Sequence, residues 1–317
     1  MNVLSLFDGI SCGMVALERE GFNIHNYYAS EVCDYSIAIS KKNHPMIKHI
    51  GDVRNVNYKG GKTIDLLIGG SPCQSFSFAG TMKGMSTKDS IEITTLEQYL
   101  KLKEDGFEFE GYSYLFWEYV RLLKETNPKY FLLENVKMAK KWEKIITNAL
   151  GVEPIVIDSE LVSAQGRERL YWTNIPNITQ PKDRNIYIDD ILEKDIEHKY
   201  LPKTRLDYTN YDRTKVDKSI HKSTPTQIGN SRKFGNAVRS NGKAYTLRRI
   251  NPNGIIDENY NIREFTPIEV ERLQTLPDNY TLVDGIKTKE RYEACGNGWT
   301  VDVIAHILSF IPIEDRV

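Results

Sequence analysis

Apolar and polar positions follow two different periods over the first 175 residues of the chain. Short apolar runs end at glycine or polar residues, and several are followed by segments whose apolar positions have helical spacing. Strands that alternate with helices predict a doubly wound α/β fold, in which a mainly parallel sheet is covered on both faces. The predicted strands are 2–7, 27–30, 64–68, 130–133, 155–159 and 169–173, and the predicted helices are 12–20, 33–43, 112–124 and 137–150.

The alternation weakens after about residue 176. A capped helix is predicted at 265–274, because Thr266 is a suitable N-cap, Pro267 suits the first helical position and Glu269 completes a capping box. A last helix is predicted at 301–310. These two helices are the elements predicted beyond residue 176.

Polar or reactive residues follow several of the predicted strands. In an open parallel sheet with right-handed crossovers, the carboxyl ends of the strands lie at one edge, where ligands bind. We therefore predict one site at this edge, and the Cys73 thiol is the candidate reacting group. Taken alone, a free cysteine is more often a small buried hydrophobic residue, and it is the other strand ends that favour catalysis. They supply Asp8, Gly9, Glu31, Asp52, Ser71, Pro72, Glu134 and Asn135.

The acidic residues at these strand ends have distinct candidate roles. Glu31 is placed to accept hydrogen bonds from ribose hydroxyls, and Asp52 to accept one from an adenine amino group. The alternative is that each acid caps a helix or faces water. Glu134 follows an apolar run, and burial favours the protonated form of a carboxyl group, which can donate a proton near neutrality. The turn at 7–13 differs from G-x-G-x-x-G, which argues against a dinucleotide site.

Two arginines occupy alternate positions in the segment 165–169. Alternate positions of an extended segment share one face. Arg167 and Arg169 are therefore predicted to clamp an anion or orient a carbonyl group together. A surface pair of arginine with Glu168 is the ordinary alternative.

The charge of the chain is unevenly distributed. The net charge is −1, but residues 199–249 contain thirteen lysines and arginines and three aspartates, so this segment carries +10 and the remainder −11. Tyrosines and a phenylalanine lie among these cations. A basic, aromatic stretch is typical of a surface that follows a phosphate backbone, and a solvated lysine-rich face or a linker is the alternative.

The remaining composition excludes several classes of protein. The four cysteines are scattered without a C-x-x-C pair, which disfavours a zinc site and a disulfide framework. No stretch reaches the roughly 18 apolar residues needed to span a bilayer, and the N-terminus has no basic leader. We expect a cytoplasmic protein with reduced thiols and no metal site.

Six segments resemble, in order, the motifs of the DNA (cytosine-5)-methyltransferases, which use S-adenosylmethionine (AdoMet). Phe-Asp-Gly-Ile-Ser-Cys-Gly at 7–13 resembles the AdoMet loop and Pro-Cys-Gln at 72–74 the nucleophile motif. The acid motif is matched at 134–136, the arginine motif at 165–169, the segment behind the recognition domain at 272–277 and the final cofactor motif at 296–299. The final motif and the segment 115–119 look closer to the animal de novo enzymes.

The resemblance implies a covalent mechanism. The Cys73 thiolate would attack C6 of a cytosine while Glu134 bonds and protonates N3, and C5 would then take the methyl group from AdoMet. A base would remove the C5 proton and Cys73 would leave. The family rotates the target base out of the duplex, and Arg167 and Arg169 would hold that base and the nucleophile region.

The resemblance also implies contact residues and two domains. Residues 1–180 with 285–317 would form the catalytic domain, and 181–284 a smaller, loop-rich target-recognition domain of a monomeric enzyme that binds double-stranded DNA. The stretch 80–111 is longer than usual in the family and is expected to carry an extra helix near 96–103. AdoMet contacts are expected from Phe7, Asp8, Gly9, Ile10, Cys12, Gly13, Glu31, Val32, Asp52, Val53, Ser71, Pro72, Leu115, Asn297 and Trp299, and DNA contacts from Gln74, Ser77, Asn135, Arg232, Lys233, Arg248 and Arg249.

Two alternatives stay open at this point. One branch of the family methylates transfer RNA, although the size and composition of 199–249 favour DNA. The other alternative is a catalytically silent DNA-binding paralogue. The presence of Cys73, Glu134, Arg167 and Arg169 counts against it.

Overall fold

The computed structural model describes residues 1–58, 63–72, 85–194, 196, 204–205, 224–227, 239, 241–247, 253–256 and 261–316. Seven residues with predicted roles lie outside the described residues. They are Cys73, Gln74, Ser77, Arg232, Lys233, Arg248 and Arg249.

A seven-stranded sheet forms the centre of the described structure. Its strands are β1 (Asn2–Leu6), β2 (Asn26–Ser30), β3 (Lys48–His49), β4 (Leu66–Gly70), β5 (Tyr130–Val136), β6 (Ile155–Asp158) and β7 (Glu168–Thr173). Their order is β3-β2-β1-β4-β5-β7-β6, and β7 runs antiparallel to both of its neighbours, β5 and β6, whereas the other neighbouring pairs are parallel. The sheet confirms the predicted mainly parallel, doubly wound fold.

The direction of β7 corrects one expectation. Only nine residues connect β6 to β7, and a parallel neighbour needs a crossover of about a dozen residues or more. The two strands therefore pair antiparallel, and the expectation that all strands end at the same edge is wrong for β7. Its amino end, where Arg169 pairs with Val136, lies at the carboxyl edge of the parallel strands.

Helices cover both faces of the sheet. Side chains of β1 alternate between two cores, since Val3 belongs to one and Leu4 to the other, and Leu132 and Leu133 of β5 alternate in the same way. The helices are α1 (Cys12–Arg19), α2 (Asp34–Asn43), α3 (Leu96–Glu104), α4 (Phe116–Thr126), α5 (Lys140–Leu150), α6 (Ile188–Ile191), α7 (Pro267–Leu273), α8 (Thr288–Asn297) and α9 (Val301–Leu308). The first core includes residues of α1, α2 and α9, and the second includes residues of α3, α4 and α5.

Several predicted helix features are confirmed. The extra helix of the 80–111 stretch is α3. The capping box of α7 is present, because the backbone N–H of Glu269 donates to the Thr266 hydroxyl at 3.2 Å and the Glu269 carboxylate accepts from the backbone N–H of Thr266 at 2.9 Å. The helices α6 and α8 were not predicted.

A second, smaller sheet lies in the segment 204–264. It contains β8 (Thr204–Arg205), β9 (Thr224–Gln227), β10 (Asn253–Ile256) and β11 (Asn261–Glu264), in the antiparallel order β8-β11-β10-β9. These strands fall within the predicted recognition domain, whose boundaries stay a prediction. No helix in the described part of the chain is long and apolar enough to cross a membrane.

Candidate active site

A cavity of about 480 Å³ opens at the carboxyl edge of the large sheet. A volume of this size is typical of small-molecule sites. Ten predicted cofactor residues contribute to its wall, together with all the described residues predicted for catalysis or DNA contact. The cofactor residues are Phe7, Gly9, Glu31, Val32, Asp52, Val53, Ser71, Pro72, Leu115 and Asn297, and the others are Glu134, Asn135, Arg167 and Arg169.

The turn after β1 holds the carboxylate of Glu31. The backbone N–H of Gly9 donates to Oε2 of Glu31 at 2.8 Å, and the N–H groups of Val32 and Cys33 donate to Oε1 at 2.7 and 2.9 Å. Gly9 has a φ of +59°, a conformation that glycine adopts without strain. A carboxylate has about four acceptor positions, so Glu31 keeps capacity for a hydroxyl donor in the cavity.

Asp52 begins the single-turn 3₁₀ helix at Val53–Asn55. Its Oδ1 accepts the backbone N–H of Arg54 at 2.9 Å, and Nε of Arg54 lies 3.0 Å from both carboxylate oxygens. The hydrogen bonds from the Arg54 guanidinium hold the pKa of Asp52 below its ordinary value. Arg54 itself lines the cavity, so Asp52 presents an ionised and oriented acceptor there.

The other residues of the 7–13 turn lie behind the cavity wall. The Asp8 carboxylate accepts from the Ser11 hydroxyl at 2.5 Å and from the Tyr27 hydroxyl at 2.7 Å, and burial raises its pKa to about 6. Ile10 and Cys12 are buried in the first core. The turn is therefore held by the buried side chains of Asp8, Ile10 and Cys12. Gly13 allows close packing there, because a Cβ on it would lie 2.4 Å from Ile68 Cδ1.

Glu134 lies near the carboxyl end of β5, with Trp299 at one carboxylate oxygen and Arg169 at the other. Nε1 of Trp299 donates to Oε2 at 3.1 Å, and Nε of Arg169 lies 3.1 Å from Oε1. Glu134 is 9% exposed and lines the cavity. The hydrogen bond from Trp299 and the ion pair with Arg169 hold the carboxyl group, and one edge of the residue still faces the cavity.

The glycines at the end of β4 make room for this arrangement. Gly70 pairs with Glu134 in the sheet, and a Cβ on Gly70 would lie 2.9 Å from Trp299 Nε1 and 3.0 Å from Glu134 Oε2. A Cβ on Gly69 would lie 2.9 Å from the carbonyl oxygen of Leu6. The expectation that the strand ends at Ile68 is therefore wrong, because β4 continues through both glycines to let backbone and side chains approach closely.

Asn135 joins the ends of β4 and β5. Its Nδ2 donates to the carbonyl oxygen of Ser71 at 3.2 Å and to the Ser71 hydroxyl at 3.0 Å, and its Oδ1 accepts from the backbone N–H of Val136 at 2.8 Å. Ser71 and Pro72 are the residues that precede Cys73 in the sequence. The end of β5 therefore anchors the segment that leads into the predicted nucleophile.

The two predicted arginines share the cavity but have different partners. Arg167 donates from Nη1 to the carbonyl oxygen of Gly296 at 3.3 Å and from Nη2 to that of Gly298 at 3.0 Å. It thus secures the turn that carries Asn297 and Trp299. Arg169 instead pairs with Glu134, so the geometry divides the expected clamp into one arginine for the turn and one for the acid.

The described cysteines differ in their suitability as nucleophiles. Burial raises the pKa of Cys12 to about 12 and that of Cys295 well above its ordinary value. Because the thiolate is the reactive form, these two thiols are unsuited to attack. Cys33 lines the cavity and is the thiol against which Cys73 must be tested.

Several cavity residues had no predicted role, among them Tyr35, Arg54 and Tyr112. Arg54 and Tyr112 lie in connections rather than at strand ends, and Tyr35 lies in the first turn of α2. Tyr112 is 55% exposed although it is aromatic. No motif marks these residues in the sequence, because the folded path of the chain alone brings them to the cavity.

Comparisons with known proteins agree with this site. The family model for C-5 cytosine-specific DNA methylase matches residues 1–312. The type II methyltransferase M1.ScrFI of Lactococcus lactis subsp. cremoris is 27% identical over 96% of this chain and 76% of its own, and M.HhaI of Haemophilus parahaemolyticus is 26% identical over 97% and 93%. The solved structure of Entamoeba histolytica methyltransferase EhMeth superposes with a TM-score of 0.63 at 19% identity, covering 98% of this chain and 97% of that one.

The match to the family extends over almost the whole chain and includes every segment on which the resemblance was based. The resemblance is therefore confirmed, and AdoMet is the methyl donor. The protein belongs to the C-5 cytosine-specific DNA methylase family and is a DNA (cytosine-5)-methyltransferase.

Proposed function

We propose that the protein methylates cytosine within a specific duplex DNA sequence, through a covalent bond between Cys73 and C6 of a base rotated out of the helix. The observation that carries the proposal is the position of Glu134. It is an oriented, nearly buried acid that lines the same cavity as the segment leading into Cys73. An acid beside a nucleophile is what addition to a heteroaromatic ring requires.

The polar groups of the cavity fit AdoMet. Glu31 can accept hydrogen bonds from the ribose hydroxyls and Asp52 from the adenine amino group, while Phe7, Val53 and Leu115 offer apolar surface to the adenine ring. Asn297, from the final motif, also lines the cavity and can bond the amino acid end of AdoMet. When bound, AdoMet supplies an electrophilic methyl group.

The residues of the chain would act in a defined order. Glu134 bonds N3 of the cytosine and shares a proton with it, which withdraws electrons from C6. Cys73 would form the bond to C6, and C5 would become nucleophilic and take the methyl group that bound AdoMet supplies, with S-adenosylhomocysteine as the leaving product. Loss of the C5 proton to a base then breaks the Cys73–C6 bond, which restores the aromatic ring and the free thiol.

Two cations of the basic segment have structural roles rather than roles in DNA binding. Lys243 is buried and donates to the carbonyl oxygens of Glu160 at 2.7 Å, Ser163 at 3.2 Å and Ile186 at 2.6 Å. Arg239 donates to the carbonyl oxygen of Ala244 at 3.1 Å. The phosphate contacts are therefore proposed for the other cations of the segment, among them Arg232, Lys233, Arg248 and Arg249.

Bisulfite sequencing of DNA from a host that expresses the protein tests the proposal. A single methylated sequence context, absent with a Cys73→Ser variant, would support it. Parallel assays with labelled AdoMet on duplex DNA and on transfer RNA would reveal the alternative substrate. Methylation of transfer RNA alone would overturn the proposal, and a monomeric, cytoplasmic enzyme stays a prediction.

A further inference from the structure

A buried carboxylate outside the cavity connects helix α3 to helix α4. Glu118 of α4 is 0% exposed, and its Oε1 accepts from the Tyr99 hydroxyl at 2.5 Å and from Nζ of Lys103 at 2.6 Å. Both partners belong to α3. A buried carboxylate is costly without such partners, and α3 supplies two of the three side-chain donors to Glu118.

The same carboxylate orients an arginine that reaches the cavity wall. Oε2 of Glu118 accepts from Nε of Arg121 at 2.6 Å. Nη2 of Arg121 donates to the carbonyl oxygens of Val53 at 3.2 Å and Val56 at 2.9 Å. Val53 is the first residue of the 3₁₀ turn that follows Asp52, and Val56 is its C-cap. Arg121, which Glu118 and Glu125 both hold, therefore connects the turn to α4.

An aromatic contact connects the same two regions. Phe109, which follows α3, stacks on Tyr114 with ring centroids 4.6 Å apart, and Tyr99 lies 5.2 Å from Phe109. The charge of the Arg54 side chain acts on Tyr114, and Arg54 in turn holds Asp52. Two sets of contacts, which share Tyr99, thus run from the 85–111 segment to the turn formed by residues 52–55.

We infer that the 85–111 segment positions the adenine-binding wall of the AdoMet site, with Tyr99, Lys103 and Glu118 as positioning residues. Docking of α3 against α4 and binding of AdoMet are then coupled, and the coupling acts in both directions. In the sequence, the 85–111 segment directly follows the stretch 73–84, which begins at Cys73. This inference rests on the proposed adenine-binding role of Asp52 and Val53.

A matched pair of lysine variants on one helix tests the inference. Lys103→Met removes a partner of Glu118, whereas Lys101→Met removes an exposed ion pair with Asp105 on the same helix. Calorimetry would measure binding of S-adenosylhomocysteine and of S-inosylhomocysteine, which has an oxygen in place of the adenine amino group. Circular dichroism would establish that each variant is folded.

Lys103→Met is expected to weaken binding of S-adenosylhomocysteine by about fivefold or more. It should also reduce the preference for S-adenosylhomocysteine (the amino compound) over S-inosylhomocysteine (the oxo compound). Lys101→Met should match the wild type. Tyr99→Phe, a milder change to the same contact, should shift the preference in the same direction. An unchanged preference in Lys103→Met, or an equal loss for both compounds, would overturn the inference.

Asp52→Asn separates failure of the inference from failure of the proposed adenine site. This variant should lose the preference for the amino compound directly. If it does so while Lys103→Met behaves as wild type, only the role of α3 is wrong. If Asp52→Asn keeps the preference, the adenine-binding role is wrong and the inference fails with it.

Discussion

The indole N–H of Trp299 donates to the carboxylate of Glu134 at 3.1 Å, although the two residues are 165 positions apart in the chain. The turn that carries Trp299 is itself held by Arg167. The last motif of the sequence therefore reaches the acid of the site directly. The predicted cofactor wall and the proposed catalytic acid are therefore joined by hydrogen bonds.

Gly70→Ala should reduce methyl transfer on the order of 10²-fold while the protein stays folded. The added Cβ would lie 2.9 Å from Trp299 Nε1 and 3.0 Å from Glu134 Oε2, which displaces one or both groups. Initial rates with labelled AdoMet and near-ultraviolet circular dichroism are the measurements. A wild-type rate would show that the Trp299–Glu134 contact does not matter for catalysis.

Glu134→Gln should lower the rate of methyl transfer by about 10² to 10⁴-fold, the usual contribution of a general acid. The amide cannot give a proton to N3, yet it keeps the size of the side chain. Binding of S-adenosylhomocysteine, measured by calorimetry, should change little. Glu153→Gln, on an exposed residue away from the cavity, is the control, and equal rates in the two variants would refute the role of Glu134.

The strand ends of the site could be predicted because apolar runs that close on a glycine or an acid identify them. The direction of β7 could not be read from its composition, since an apolar run has the same pattern in both directions. Only the short connection between Asp158 and Glu168 indicates a hairpin. Helix α8 was missed because its buried residues Glu293, Ala294 and Cys295 are consecutive and show no helical period.

The side chains that orient the residues of the site are brought there by tertiary contacts, which local sequence does not encode. Arg121 reaches Val53 across 68 positions of the chain. Arg54 and Tyr112 reach the cavity from connections without a motif. Sequence patterns therefore predicted the groups at the sheet edge, and the structure was needed to find the groups that orient them.

Asp8 should make stability depend on pH between about pH 4 and about pH 6. Its pKa is raised by burial from 3.8 to about 6, so the folded state binds the proton more tightly than the unfolded state. The contribution of Asp8 to stability is present below its unfolded pKa and is lost as the pH rises through the folded pKa. The difference between the two values corresponds to about 3 kcal/mol.

Urea unfolding of the wild type and of Asp8→Asn across this range measures the effect. The free energy of unfolding of the wild type, relative to that of the variant, should fall from about pH 4 to about pH 6 and level off near pH 7. A relative free energy that stays constant with pH would show that the Asp8 carboxyl is not the titrating group.

Replacing Arg232, Lys233, Arg248 and Arg249 with glutamine should weaken DNA binding and flatten its salt dependence. Each lost phosphate contact is expected to reduce the slope of log affinity against log salt by about 0.9. Lys243→Gln should instead lower the free energy of unfolding without changing the slope, because Lys243 binds internal carbonyls. An unchanged slope in the fourfold variant would remove these residues from the interface.

The most direct test of the account is covalent capture on duplex DNA that contains 5-fluorocytosine at the methylated position. Fluorine at C5 prevents the final elimination, so the enzyme should remain bonded to C6, and mass spectrometry should find the adduct on Cys73. Cys33→Ser should still form it, because Cys33 lines the cavity without a role in attack, and Cys73→Ser should not. An adduct on Cys33, or one that survives in Cys73→Ser, would contradict the account.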